Sequence, residues 1–274
     1  MTTLWAGGFM SCSTSQSNDL TGLPRTGKFP VFVIAHRGFS GEAPENTLTA
    51  FKKAMDLGVD MIELDVHLSK DGQVVVIHDD TLNRTTNGKG KVADLTLDEL
   101  KQLDAGSWFG AQFSGERIPA LKEVLESVRG KAVLTIELKQ GDLGRYRMSD
   151  LADRSLEEVE RAGMMNQVVF ASFDLSAIDR IREKNPRVPV ASIYGKAWSL
   201  PHEATGGRPI PLLSCRGTVL TEANVSKARQ QGTKVFVWTV NTEEQMERFL
   251  HMGVDGIVTD YPDRLIKILQ TRSR

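Results

Sequence analysis

Between Ala35 and Arg84 the chain places a histidine-arginine pair, two carboxylates one residue apart and a second histidine at the ends of neighbouring β-runs. The runs are Val31–Gly38 with His36 and Arg37, Ile62–Val66 with Glu63 and Asp65, and Val74–Asp79 with His78. Side chains alternate faces along a strand, so Glu63 and Asp65 point the same way. Two carboxylates on one face repel unless a cation lies between them, and a hard divalent metal takes oxygen ligands. A further run, Val133–Lys139, adds Glu137 with Lys139 on the same face. Three carboxylates from two strands supply most of an oxygen cage, which water and substrate oxygens complete. Two imidazoles and a guanidinium add proton transfer and an anion clamp. That combination suits hydrolysis of a phosphate ester.

Such residues need a scaffold that brings strand ends together. Short β-branched runs at 31–36, 61–66, 133–139, 168–173, 189–194, 234–240 and 256–260 alternate with amphipathic stretches. In one stretch, Asn46–Leu57, the residues Leu48, Phe51 and Met55 fall at the spacing of a buried helical stripe. Gly58, Gly130, Gly163, Gly232 and Gly253 each follow such a stretch and precede a strand, as helix-ending glycines do. Strand-helix alternation predicts βαβ units and a parallel sheet. Gly58–Asp65 and Gly253–Asp260 share their opening Gly-Val-Asp and their closing Asp, so one turn-into-strand device recurs near both ends. Seven clear strands and a weak one around 212–220 suit an α/β (β/α)8 TIM barrel. A doubly wound open sheet is the alternative, but no G-x-G-x-x-G follows the first run. Residues 80–118 read as an insertion after His78, with a capped helix over Thr96–Leu103. Residues 195–220 look too irregular for a full helix and strand, so a loop is expected in place of the fifth helix.

Composition narrows the partners. With 34 Lys and Arg against 35 Asp and Glu, no basic field exists to hold nucleic acid. The two cysteines, Cys12 and Cys215, make no disulfide framework or C-x-x-C metal site. No apolar run is long enough to span a bilayer. Leu4–Met10 followed by Ser11-Cys12 faintly resembles a lipoprotein signal, but no Lys or Arg precedes Arg25 and two glycines interrupt the run. The expected organisation is a disordered leader over 1–29, a single catalytic barrel over 30–274 with its insertion, and a cytoplasmic location.

His36-Arg37-Gly38, Pro44-Glu45-Asn46-Thr47, Glu63-Leu64-Asp65-Val66, Asp71-Gly72, His78-Asp79 and Thr81–Gly88 together resemble the glycerophosphodiester phosphodiesterase family. So do Ile136–Lys139, Trp238–Asn241 and Gly253–Asp260, and the similarity runs in order from about residue 31 to 268. It is thinnest at 195–220. The resemblance implies a (β/α)8 barrel with a small insertion after the second histidine. It implies Glu63, Asp65 and Glu137 as ligands of one divalent cation, Mg2+ or Ca2+, and His36 and His78 as general acid and base. It implies Arg37 on the phosphate, Glu45 and Lys139 lining the same pocket, and Trp238 on its glycerol side. The implied reaction releases glycerol 3-phosphate and an alcohol from a small-molecule glycerophosphodiester.

Other readings of the same residues stand beside these. Paired carboxylates at barrel strand ends also serve glycosidases, which need neither metal nor paired histidines. A phospholipase D-like enzyme acting on lysophospholipids or sphingomyelin would need an apolar channel. A degenerate binding barrel is disfavoured because every acid, base and ligand position is filled. His67 shares the face of Glu63 and Asp65 but reads as lying past the strand end, structural or solvent-facing. His202 and His251 read as surface residues, and Asp260 as a rim or helix-capping residue before Pro262. Asn87–Lys91 lacks the ending and flanks of a phosphate-binding loop and reads as a turn.

Overall fold

The computed structural model describes residues 29–272; Cys12 and nearly all of the expected leader lie outside those residues. Among the described residues nine strands are present: β1 (Phe32–His36), β2 (Met61–Leu68), β3 (Val74–Val76), β4 (Val133–Leu138), β5 (Val168–Ser172), β6 (Val190–Tyr194), β7 (Leu212–Arg216), β8 (Lys234–Trp238) and β9 (Gly256–Thr259). All except β3 pair in parallel, and β1 pairs with both β2 and β9, so eight strands close a barrel. β3 is antiparallel to the far end of β2 and stands outside the ring.

Helices α1 (Leu48–Leu57), α2 (Leu97–Leu100), α3 (Leu121–Val128), α4 (Met148–Arg161), α5 (Leu175–Lys184), α6 (Pro201–Thr205), α7 (Glu222–Gln230), α8 (Glu243–Met252) and α9 (Pro262–Arg272) complete the chain. All lie in the connections between barrel strands or after the last, with α2 an extra helix ahead of α3 in the β2–β4 connection, giving the (β/α)8 order. The five glycines flagged before strands have φ between 68° and 76°, the left-handed conformation that releases a chain from a helix at little steric cost. Between residues 195 and 220 a five-residue helix, α6, stands where a loop was expected, and β7 is a regular strand. Pro201 at the start of α6 and Gly206 after it confine that helix to little more than one turn.

The stripe on α1 also differs from expectation. Phe51 is fully buried together with Ala50 and Ala54, whereas Leu48 is 38% exposed. Gly38 explains the shift: a Cβ there would lie 2.7 Å from Ala50, so loop and helix meet along their smallest side chains. Burying Phe51 contributes roughly 2–3 kcal/mol, which anchors the helix that follows the Pro44–Thr47 turn.

One core layer lies between helices and strands, and a second fills the barrel with Phe32, Ile34, Met61, Val133, Phe236 and their neighbours. Residues following β3 build a third, local core from Val75, Ile77, Leu82, Leu100 and Ile118. That excursion has α2 capped by Thr96 and Glu99, and it rejoins the barrel where Val76 N–H donates to Pro119 O at 2.9 Å. Cys215 is buried in β7, and burial pushes its thiol up to about 12.

Candidate active site

Register decides which side chains share the carboxyl-terminal mouth. His36 lies opposite Glu63 on β2, Glu63 opposite Thr135, and Asp65 opposite Glu137 on β4. These inward positions bring one oxygen each from Glu63, Asp65 and Glu137 within 4.8 Å of one another. Arg37 and Lys139 provide the nearest positive charge: Lys139 Nζ is 2.8 Å from Glu137 and 3.4 Å from Asp65, and Arg37 Nε is 3.3 Å from Asp65.

Packing three acids against two cations divides the protons unequally. Burial first, then Asp65 and Glu137, drives the Glu63 carboxyl well above its usual range. Burial and Asp65 push Glu137 up to about 7 despite the opposing pull of Lys139. Asp65 goes the other way: burial works against its charge, but Arg37, Lys139 and the Asn46 hydrogen bond hold it far below the ordinary carboxylate range. Glu137 Oε1 is buried, with Lys139 Nζ beside it at 2.8 Å. An all-oxygen cluster of three converging carboxylates fits a hard divalent cation.

The sharp turn after β1 and the start of α1 fix the neighbours. Arg37 and Asn46 both adopt left-handed backbone, φ 55° and 59°. The Arg37 N–H donates to Glu63 Oε2 at 3.0 Å, and Asn46 Nδ2 donates to Asp65 Oδ2 at 2.9 Å, so both departures orient carboxylates of the acidic cluster. Thr47 caps α1 by accepting from the Ala50 N–H. Glu45 does not line the main cavity. It clamps Arg37 at 2.7 Å and Arg84 at 2.7 and 2.9 Å, an orienting position rather than the pocket-wall position expected.

Each histidine has a carboxylate behind it. His36 Nδ1–H donates to Asp260 Oδ1 at 2.6 Å, and His36 Nε2 points toward Glu63 at 4.0 Å. Asp260 is itself held by Ser40 at 2.9 Å and by Asn241 at 2.6 Å, so it is neither a free rim residue nor a helix cap. His78 Nδ1–H donates to Asp79 at 2.6 Å. His78 Nε2 lies 3.1 Å from Lys139 Nζ; an ammonium only donates, so this nitrogen accepts and the ring is neutral. Burial holds His78 below its ordinary value, as that state requires. Arg84 grips Asp79 at 2.8 and 3.0 Å as well as Glu45, so a continuous ionic path joins Arg37, Glu45, Arg84, Asp79 and His78.

His67 differs from expectation in position rather than role: it lies within β2 instead of past the strand end, is 1% exposed, and serves structurally, its Nε2 bonding the His78 carbonyl at 3.0 Å. β2 extends two residues past Val66, which keeps His67 inside. His202 and His251 are exposed. Asp260 is the main residue whose role sequence reasoning missed, although the shared Gly-Val-Asp device had aligned it with Asp65. Asp79 and Arg84 stood in quoted motifs with no role attached.

These groups open on a cavity of about 240 Å3. His36, Arg37, Glu63, His78, Glu137 and Lys139 form its polar side. Its opposite side carries Phe173, Ser214, Arg216 and Trp238, above an apolar floor that includes Ala171, Ala191 and Leu212. Trp238 lines the cavity, its indole N–H donating to the Ser214 carbonyl at 2.9 Å and its ring edge-on to Phe173.

The profile of the Glycerophosphoryl diester phosphodiesterase family matches residues 36–264. The glycerophosphodiester phosphodiesterase of Caldanaerobacter subterraneus subsp. tengcongensis is 42% identical over 240 residues, 87% of this chain and 97% of that protein. Human lysophospholipase D is 30% identical over 88% of this chain and 86% of its own length. An Oleispira antarctica phosphodiesterase, solved with its product sn-glycerol-3-phosphate, superposes with a TM-score of 0.83 at 32% identity, covering 88% of this chain and 97% of that one.

Proposed function

This chain belongs to the glycerophosphoryl diester phosphodiesterase family and hydrolyses glycerophosphodiesters, and from that premise we propose a metal-dependent reaction with histidine acid-base catalysis. Glu63, Asp65 and Glu137 would hold one divalent cation, Mg2+ or Ca2+. When bound, such a cation supplies positive charge against the phosphoryl oxygens. Arg37 binds the phosphate with a planar fork that Glu45 orients. Lys139 adds a second cation at the same wall.

His78 takes the proton of the nucleophile, water or the glycerol's neighbouring hydroxyl, through its Nε2 lone pair once Lys139 turns to the phosphate. Asp79 keeps the proton on Nδ1 and so keeps Nε2 able to accept. His36, backed by Asp260, delivers a proton to the departing alcohol oxygen, which is a poor leaving group as an alkoxide. With water as nucleophile, the P–O bond to the alcohol breaks as the new P–O bond forms, yielding glycerol 3-phosphate and a neutral alcohol; with the neighbouring hydroxyl the same displacement first gives a cyclic glycerol phosphodiester, which water then opens to glycerol 3-phosphate. Phe173 and Trp238 give the glycerol carbons an apolar edge. The cytoplasm is the proposed location; among the described residues no helix is long and apolar enough to cross a membrane.

The observation that carries this reading is the convergence of three buried carboxylates with two carboxylate-anchored imidazoles on one cavity. The similarity to a lysophospholipase D and the apolar cavity floor favour one second reading, cleavage of lysophospholipids by the same chemistry. The test is glycerol 3-phosphate release from a panel of glycerophosphodiesters with Mg2+, Ca2+ or chelator, including lysophosphatidylcholine assayed for choline. His36→Ala and His78→Ala should each lose at least about 100-fold in kcat while retaining cation-induced thermal stabilisation. Undiminished turnover in chelator or in either variant would defeat the mechanism, and choline release from the lysolipid alone would establish the second reading.

A further inference from the structure

The cations on the polar side of the cavity are already answered by carboxylates: Arg37 by Glu45 and Asp65, Lys139 by Glu137 and Asp65. Arg216, at the end of β7, is not. It lines the same cavity, forms no ion pair among the described residues, and is exposed at the mouth. Its guanidinium is nevertheless placed. It lies 5.3 Å from the centre of the Trp238 ring, and a Cβ on Gly195 would be 3.8 Å from three of its atoms. Parallel register sets Arg216 directly beside Trp238, so stacking is built into the barrel rather than left to a free rotor.

Two consequences follow for what the cavity accepts. An aromatic face is the usual seat for a quaternary ammonium, and here Arg216 occupies one face of Trp238. Among the described residues, the only carboxylates lining the cavity are Glu63 and Glu137, which belong to the cluster on the opposite side, so no lining carboxylate on the Trp238 side would receive an ammonium. An uncompensated, stacked guanidinium matches carboxylate or phosphate oxygens instead. Resting on the phosphodiesterase reading above, we propose that Arg216 is a specificity-determining residue that selects glycerophosphodiesters carrying a second anionic group. That group is either a carboxylate on the departing alcohol or a second phosphodiester across the glycerol.

The experiment compares kcat/KM for glycerophosphocholine, glycerophosphoserine and bis(glycerophospho)glycerol in the wild type, Arg216→Gln and Arg216→Lys. The wild type should prefer at least one dianion-type substrate over the choline ester, and Arg216→Gln should collapse that ratio about ten- to 100-fold, the usual worth of a charge-assisted hydrogen bond. Arg216→Lys, which keeps the charge but loses the planar fork, should retain part of the preference. A ratio that collapses only for glycerophosphoserine supports the alcohol-side carboxylate, and one that collapses only for bis(glycerophospho)glycerol supports the second phosphodiester. No wild-type preference, or a preference that Arg216→Gln keeps, overturns the inference while hydrolysis of the choline ester leaves the phosphodiesterase reading standing. Hydrolysis of none of the three would overturn both.

Discussion

Asp260→Asn is a near-isosteric change whose consequence can be followed atom by atom. Asn241 Oδ1 accepts from the backbone N–H of residue 260 at 3.0 Å and from Thr259 Oγ1 at 3.2 Å. A backbone donor cannot invert, so Asn241 must keep its Nδ2 donor turned toward residue 260, where it now meets Asp260 Oδ2 at 2.6 Å. An asparagine at 260 therefore has to place its carbonyl oxygen there and its amide nitrogen where Oδ1 now sits. That nitrogen is a donor facing His36 Nδ1, a contact 2.6 Å long in the wild type. His36 would then have to accept at Nδ1 and carry its proton on Nε2 alone. As an acid it needs protons on both nitrogens, and as a base it needs Nε2 free; the variant forbids both states. The expected loss is the whole acid-base contribution of His36, about 100- to 10,000-fold in kcat, or roughly 3–5 kcal/mol on the barrier. Asp260 touches none of Glu63, Asp65 and Glu137, so cation-induced stabilisation, read by thermal denaturation, should be retained. Steady-state release of glycerol 3-phosphate measures the rest. Turnover within about threefold of wild type would refute the proton-placement reasoning, because general acid-base help is worth far more.

Arg84→Ala should move the limb of the pH–kcat/KM profile governed by His78 to higher pH. Arg84 is the main counter-charge on Asp79, so without it the carboxylate acts more fully on His78, favours the imidazolium and raises the lowered value; an unmoved or downward limb would contradict the ionic path. The same variant frees one side of Glu45 and should cost about ten- to 100-fold in kcat through misplacement of Arg37. Glu158 on α4 is a stability test outside the site: burial pushes its carboxyl up to about 7, and its Oε2 has no hydrogen-bond partner. A folded-state value above the usual 4.5 destabilises the native state as pH rises through that interval, with no effect below 4.5 and the full effect above 7. Solvent reaching the partly open side chain reduces the cost to roughly 1–2 kcal/mol. Glu158→Gln should therefore raise Tm by about 2–6 °C at pH 8 and hardly at pH 4.5, and equal gains at both pH values would exclude burial of charge as the cause.

Much of the site was legible in one dimension because the strands that carry it are regular. A period of two aligned Glu63 with Asp65 and Glu137 with Lys139, and the glycines before each strand marked where helices end. Parallel topology then required those strand ends to share one mouth with His36, so the converging acids could be named from local pattern, whereas His78 reaches the same mouth through the antiparallel β3 outside the ring. The errors fall where the controlling contact is distant in sequence. Leu48 looked core-facing by spacing, but close approach of Gly38 to Ala50 turned the helix onto its alanines. His67 looked past the strand end because nothing local shows that β2 pairs with β3 as far as Leu68.

The chain by itself thus determined which residue types stand at which strand ends, since alternation and helix-stopping glycines are backbone properties of a few neighbouring residues. Tertiary structure alone decided their partners. Asp260 meets His36 across 224 positions only because β9 closes the ring onto β1, and Arg84 reaches Glu45 only because the excursion after β3 folds back on its own small core. Protonation follows from those meetings: Glu63 and Asp65, alike in sequence context and both buried, shift in opposite directions because Lys139 and Asn46 join Arg37 in holding the charge on Asp65, while Asp65 and Glu137 oppose a charge on Glu63. Burial and through-space charge act over distances that sequence spacing does not encode.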